Sequence, residues 1–368
     1  MFIKSPIVVS LLTLLLGWAA PVLAEPDFSA IDHLVFVVLR DSTTVAVIDS
    51  RTDRIAGSLD IGLVPSQLVL APTRPLLAAT DGTSSRILLV DLATGGRTTI
   101  DLDFPARRLV VSPDGLRLAA SDLDGGHLAI LSFEDGHVLE PERRQSPMSD
   151  LVFAGDNTTL ATAGPATVAL LRPQGVDSTV ATSGSPPGPA HLLRSANGRQ
   201  IFAHPGLGGP IAVIETRTGR AGTMIPAGPG VLASSGSGSY LLVLDPAAAT
   251  LSIVHGDDLS SGPVLPASTD MAAAYSGWFD SVAFVAGRHR ASLLVFDLWR
   301  LDRTDDIPLP GVPGPGTVTT DGAKLYLPLE LGGQIAMVDT RSRRLAATIA
   351  VPGHPVATVV AAGYGICH

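Results

Sequence analysis

The stretch VAVIDSRTDR, Val45–Arg54, recurs with drift along almost the whole chain. Further copies begin at Ile87 (ILLVDLATGG), Leu128 (LAILSFEDGH), Val168 (VALLRPQGVD), Ile211 (IAVIETRTGR), Leu251 (LSIVHGDDLS), Leu293 (LLVFDLWRLD) and Ile335 (IAMVDTRSRR). Successive starts lie 40–43 residues apart. An apolar, β-branched run that stops at a polar turn is a short strand opening a hairpin. Short strands repeating every 40–45 residues or so are the mark of propeller blades.

Working outward from the second copy, the whole unit becomes visible. Pro65 precedes QLVLAP, then come LLAAT, a turn at Asp81–Ser85, ILLVDL, a turn at Thr94-Gly95-Gly96, and TTIDLD. That is four strands, a to d, with turn chemistry between them. The hairpin between a and b repeats as RLVVSPDGLRLAAS from Arg108, LLRSANGRQIFAH from Leu192, LASSGSGSYLLVL from Leu232 and VTTDGAKLYLPL from Val318. Small, Gly, Asn or Asp residues fill each tip, as a tight turn requires. Proline recurs before strand a, at Pro65, Pro105, Pro147, Pro189, Pro229, Pro313 and Pro355, where no ladder donor is lost. No strand a precedes His33, and an apolar run, Val356–Ala362, is left over at the other end. The expectation is an all-β, eight-bladed propeller of four-stranded antiparallel blades, with that C-terminal run completing the N-terminal blade. Seven blades with a degenerate arm is the alternative count.

Met1–Ala24 reads as a secretory signal peptide: Lys4, an apolar segment from Ile7 to Ala20, and small residues at Val22-Leu23-Ala24. Residues 25–368 are then a single propeller domain, periplasmic or secreted, with no transmembrane segment after cleavage. A net charge of -9 argues against nucleic acid as a partner. The single cysteine, Cys367, allows no intramolecular disulfide, so the fold rests on its core. The expected form is a monomer that binds a protein partner or a small ligand.

The phrases V-x-V-I-D-x-R-T, best seen at Val45–Thr52, and Ser112-Pro113-Asp114-Gly115 resemble the YVTN family of β-propeller repeats. The resemblance spans nearly all of the mature chain, and it is a resemblance of scaffold. It implies company that includes surface-layer and periplasmic binding proteins, lactonase-like hydrolases, amine dehydrogenase subunits and the eight-bladed haem domain of dissimilatory nitrite reductases. Fold does not choose among these.

The chain has no G-x-S-x-G, H-E-x-x-H or P-loop, and no C-x-x-C-H for haem attachment. Polar residues in the b–c and d–a loops, which share one face of a propeller, are the candidates. As ligand-binding residues these are Arg40, His191, His204, Arg288, His289 and His354, accompanied by Asp41, Asp81, Asp122, His127, Asp270, Arg290 and Glu330. Histidine among carboxylates suits a divalent metal or an axial haem iron, and arginine clamps carboxylates. On the opposite face the register brings Cys367 and His368 beside His33, a set suited to Cu or Zn. The readings carried forward are a non-catalytic binding or accessory protein, a haem- or metal-handling protein of the nitrite-reductase-propeller type, and a lactonase-like hydrolase.

Overall fold

Each of the eight phrases forms the third strand of one four-stranded antiparallel sheet, and the eight sheets make a ring. The computed structural model describes residues 26–144, 146–173, 177–181 and 190–361. The inner strands, one per blade from blade 1, are Pro355–Val359, Gln67–Leu70, Arg108–Val111, Asp150–Phe153, Ala190–Arg194, Val231–Ser234, Met271–Gly277 and Thr317–Val318. The expected eight-bladed propeller is the observed one.

Strand periodicity explains the ring. Side chains alternate across a strand, so a sheet wedged between two others must be apolar on both faces. Strand b of blade 1, Leu34–Leu39, is buried at every position. Its Phe36 and Val38 pack with Leu68 and Leu77 of blade 2, while Val35 and Val37 pack with Tyr326 and Ile335 of blade 8. Outer strands face solvent and are polar, as in Arg97–Asp101 and Asp302–Pro308, which blunts the outer edge against pairing with another chain.

Blade 1 is built from both ends of the chain. Pro355–Val359 pairs antiparallel with Leu34–Leu39, with Phe36 opposite Val359 and Val38 opposite Ala357. The expected closing strand is therefore present, starting one residue earlier and ending at Val359. Polar links reinforce the seam between blades 8 and 1. The Lys324 ammonium donates to both carboxylate oxygens of Asp53 at 2.8 Å, and the buried Tyr326 hydroxyl donates to Asp53 Oδ1 at 2.5 Å. Burial, then that carboxylate, push the Tyr326 hydroxyl well above the usual phenol range. Strand b starts at Leu34, directly after the 3-10 turn Phe28–His33, whose Ser29 N–H donates to Asp27 Oδ1 at 3.0 Å.

The recurring aspartate of the phrase is a turn residue. Asp49, Asp91 and Asp297 accept from the backbone N–H two residues on, at 2.8, 2.9 and 3.0 Å. This local bond fixes the c–d turn. The turn then needs a residue at positive φ. Gly95, Gly136 and Gly219 supply it in three blades, and Asp53, Leu259, Leu301 and Arg343 adopt it without glycine.

Candidate ligand-binding face

Antiparallel order puts the b–c and d–a connections of every blade at one end of the ring. There the d–a connection into blade 8 is longer than the Ile61–Ser66 connection into blade 2 and rich in proline and glycine, GVPGPG at residues 311–316. Together with Ala272, Ala273 and Tyr275 of blade 7 and Leu329–Gly332 of blade 8, it encloses a basin of about 1190 Å³. The lining is dominated by alanine, proline, glycine, valine and leucine, with Arg288, His289, Glu330 and Tyr275 as its charged or titratable members.

Four of the six expected loop residues gather at this end of blades 7, 8 and 1. Arg288 and His289 are exposed in the b–c turn of blade 7. Among the described residues, no ion pair or hydrogen bond engages the Arg288 guanidinium or the His289 imidazole. Glu330 is tied to the Arg40 guanidinium. His354 reaches the Glu330 backbone oxygen through Nδ1 at 3.3 Å, and its own carbonyl accepts from Arg40 N at 2.8 Å. The rim is therefore cationic once the Arg40–Glu330 pair is set aside. Arg290 belongs to the outer wall, 3.8 Å from Asp306.

The other two expected residues lie in blade 5. His191 is exposed on the inner strand, where it lines the mouth of the central channel with Arg108, Ser149 and Asp150. His204 is a correction. It sits in strand b, Gln200–Pro205, opposite His191, and is fully buried rather than displayed on a loop. Its Nε2 meets the Gly228 carbonyl oxygen at 2.9 Å, and burial holds its pKa below the ordinary imidazole value.

Several accompanying residues are structural. Asp122 caps its own turn, holding His127 Nδ1 at 2.7 Å, and the His127 ring stacks on Phe104 at 5.5 Å. Asp81 accepts from Thr83 N and Ser84 N at 2.8 and 2.7 Å. Asp270 accepts from the Ser268 hydroxyl, which draws its carboxyl below the usual range. On the opposite face, His33 lies 3.5 Å from Asp32. Cys367 and His368 fall outside the described residues. Among the described residues, no group of three His, Cys, Asp or Glu side chains is placed to hold a metal ion.

The apolar half of the basin was missed by a search for polar side chains. Its signal was the run of prolines and glycines before strand a of blade 8, longer than the corresponding Ile61–Ser66 connection. Polar residues mark chemistry, whereas an apolar ligand site is marked by loop length and by exposed Val312 and Leu331.

A ring of eight four-stranded sheets closed by its own C-terminal strand is an eight-bladed β-propeller. Solved structures superpose on it. The dihydro-heme d1 dehydrogenase NirN, in complex with DHE, superposes with a TM-score of 0.74 at 17% identity, over 92% of this chain and 77% of that one. Apo AztD from Citrobacter koseri gives 0.67 at 14%, over 91% of this chain and 99% of that one. Kuenenia stuttgartiensis hydrazine synthase gives 0.55 at 13%, over 75% and 95%. At such identities the likeness is one of fold. No family model and no curated protein matches the chain. No helix among the described residues is long and apolar enough to cross a membrane.

Proposed function

We propose that this chain is an exported propeller of YVTN-type repeats that serves in the periplasm as a non-catalytic binding or accessory protein. Its ligand is an organic molecule with an apolar body and a carboxylate, seated in the basin between blades 7 and 8. The carrying observation is the combination of a large apolar basin with an uncommitted guanidinium and imidazole at its rim. Apolar walls with a few convergent polar groups are the usual make-up of a small-molecule site. Arginine fits a carboxylate in a forked geometry that lysine cannot copy. The test is a fluorescence titration with an aryl carboxylate. Saturable binding should weaken about tenfold or more in Arg288→Ala, the loss of one charge-assisted contact. No binding, or unchanged affinity in the variant, overturns the reading.

A haem-type macrocycle is the second reading, favoured by His289 standing beside Arg288 at the same rim. Imidazole is a common axial ligand and arginine suits propionates. The likeness to NirN, solved with DHE, supports asking the question. Titration with ferric haem should shift the Soret band in the wild type and leave it unshifted in His289→Ala. A band that moves equally in both removes His289 as the ligand.

A further inference from the structure

The inner strands of blades 1, 2, 3, 7 and 8, with Arg194 of blade 5, enclose a second space of about 190 Å³ inside the central channel. Its walls contain two charged side chains, Arg108 and Arg194, and no carboxylate. With Arg108 paired to Asp150 just outside these walls, Arg194 remains as an excess positive charge at the centre of a chain whose net charge is -9.

Neither arginine is fully occupied. Arg194 donates from one terminal nitrogen to the Phe153 carbonyl oxygen at 3.1 Å. No carboxylate pairs with it among the described residues, and burial draws its pKa down with no opposing cause. A guanidinium carries five N–H donors in a planar fork. Arg108 reaches Asp150 Oδ1 at 3.2 Å, but its Nε is buried without a partner. Asp150 is shared, since it also accepts from Leu151 N and Leu192 N, both at 2.9 Å.

Most of the remaining polar groups here are already engaged. The Gln67 side chain exchanges bonds with the Leu109 backbone at 2.7 and 2.9 Å. Ser276 Oγ accepts from Gly236 N at 3.0 Å, and Thr358 Oγ1 donates to Tyr326 O at 3.0 Å. Spare donor capacity is thus concentrated on the two arginines. Each inner strand also pairs only with its strand b, so its other edge turns backbone N–H groups toward the channel. Such edges add favourable dipoles for an anion. A buried cation without a counter-charge is costly, and an anion between desolvated donors removes that cost.

We propose that the central channel is an oxyanion-binding site, in which a small carboxylate or inorganic oxyanion pairs with Arg194 in the field of Arg108. The site adjoins the basin between blades 7 and 8 at Tyr275, but neither Arg108 nor Arg194 lines that basin. The experiment measures thermal unfolding against increasing acetate, succinate, sulfate and phosphate at constant ionic strength, with chloride as the control salt. The wild-type midpoint should rise saturably with at least one oxyanion and not with chloride. A response to carboxylates alone, or to sulfate and phosphate as well, supports the site and names its occupant. Arg194→Met keeps the stem and removes the donors. It should weaken the response about tenfold or more, as expected for a buried charge pair, and Arg194→Lys should restore part of it. Circular dichroism of Arg194→Met in anion-free buffer checks that the sheet is intact. Because Arg290 lies on the outer wall and lines neither the basin nor the channel, Arg290→Ala should respond like the wild type. The site is overturned by a wild-type midpoint indifferent to every oxyanion, by an equal rise in Arg194→Met, or by loss of the response in Arg290→Ala.

Discussion

At His204 the ring proton resides on Nε2, because the Gly228 carbonyl oxygen at 2.9 Å can only accept. Nδ1 is then a bare acceptor, buried and without a partner. Adding a proton there creates a charge in a dry place, which is why burial lowers the folded pKa. An unfolded histidine titrates near about pH 6.5. His204 therefore contributes stability that is complete above that value and is lost as pH falls through the lower folded one. The melting temperature of His204→Leu should decline less between about pH 7 and pH 5 than that of the wild type. Parallel declines would show that the imidazole titrates alike in both states. The sequence around this residue, FAHPGLGG, reads as a turn opening at the histidine. The strand instead runs through Pro205, whose missing N–H falls at the last position and costs no ladder bond. A local breaker signal lost to tertiary burial, an outcome that residue-by-residue reasoning cannot reach.

At the scale of the element, the hairpins were the most legible part of the chain. Phrase, aspartate and left-handed turn position recur because each blade solves the same geometric problem. The departures are equally informative. In blade 7 the a–b turn carries Trp278, Phe279 and Asp280 at φ of 40, 54 and 56°, where other blades use a motif such as Ser112-Pro113-Asp114-Gly115. Asp280 accepts from Ser235 Oγ at 2.7 Å and Ser237 N at 3.0 Å, anchoring this turn to the matching turn of blade 6. In blade 6 the b–c turn places Ala249 at φ 55°. An alanine Cβ is disfavoured there and glycine is not, with a difference of about 1 kcal/mol. Ala249→Gly should raise the melting temperature in a calorimetric scan, against the usual cost of adding glycine. A fall would mean that the freed backbone entropy of the unfolded chain outweighs the strain.

For the molecule as a whole, closure decides stability. Removing residues 355–368 uncovers the inner edge of Leu34–Leu39 and an apolar face shared with blade 8. The shortened chain should aggregate or melt far below the full one, and size-exclusion chromatography with a thermal scan will show which. Equal melting would mean that the seam is held by the Lys324, Tyr326 and Asp53 contacts alone. Blade number and closure could be read from period and leftover strand, since both follow from backbone pairing. The candidate face was legible in part. Arg40, Arg288, His289 and His354 advertise themselves as polar loop residues, and antiparallel order places them at one end. The basin and the channel pair Arg108 and Arg194 were not legible, because enclosure is a property of eight blades meeting and of no single repeat.

The pairing of Phe36 with Val359 also sets a timetable. Strand b of blade 1 leaves the ribosome roughly three hundred residues before its partner. Over that interval the nascent chain carries an unsatisfied strand edge that any other extended segment can occupy. Contacts this remote in sequence form slowly, since the loop between them must be ordered before they contribute. Ring closure is thus a late event, and the growing chain depends on whatever keeps that edge unpaired until residues 355–359 arrive.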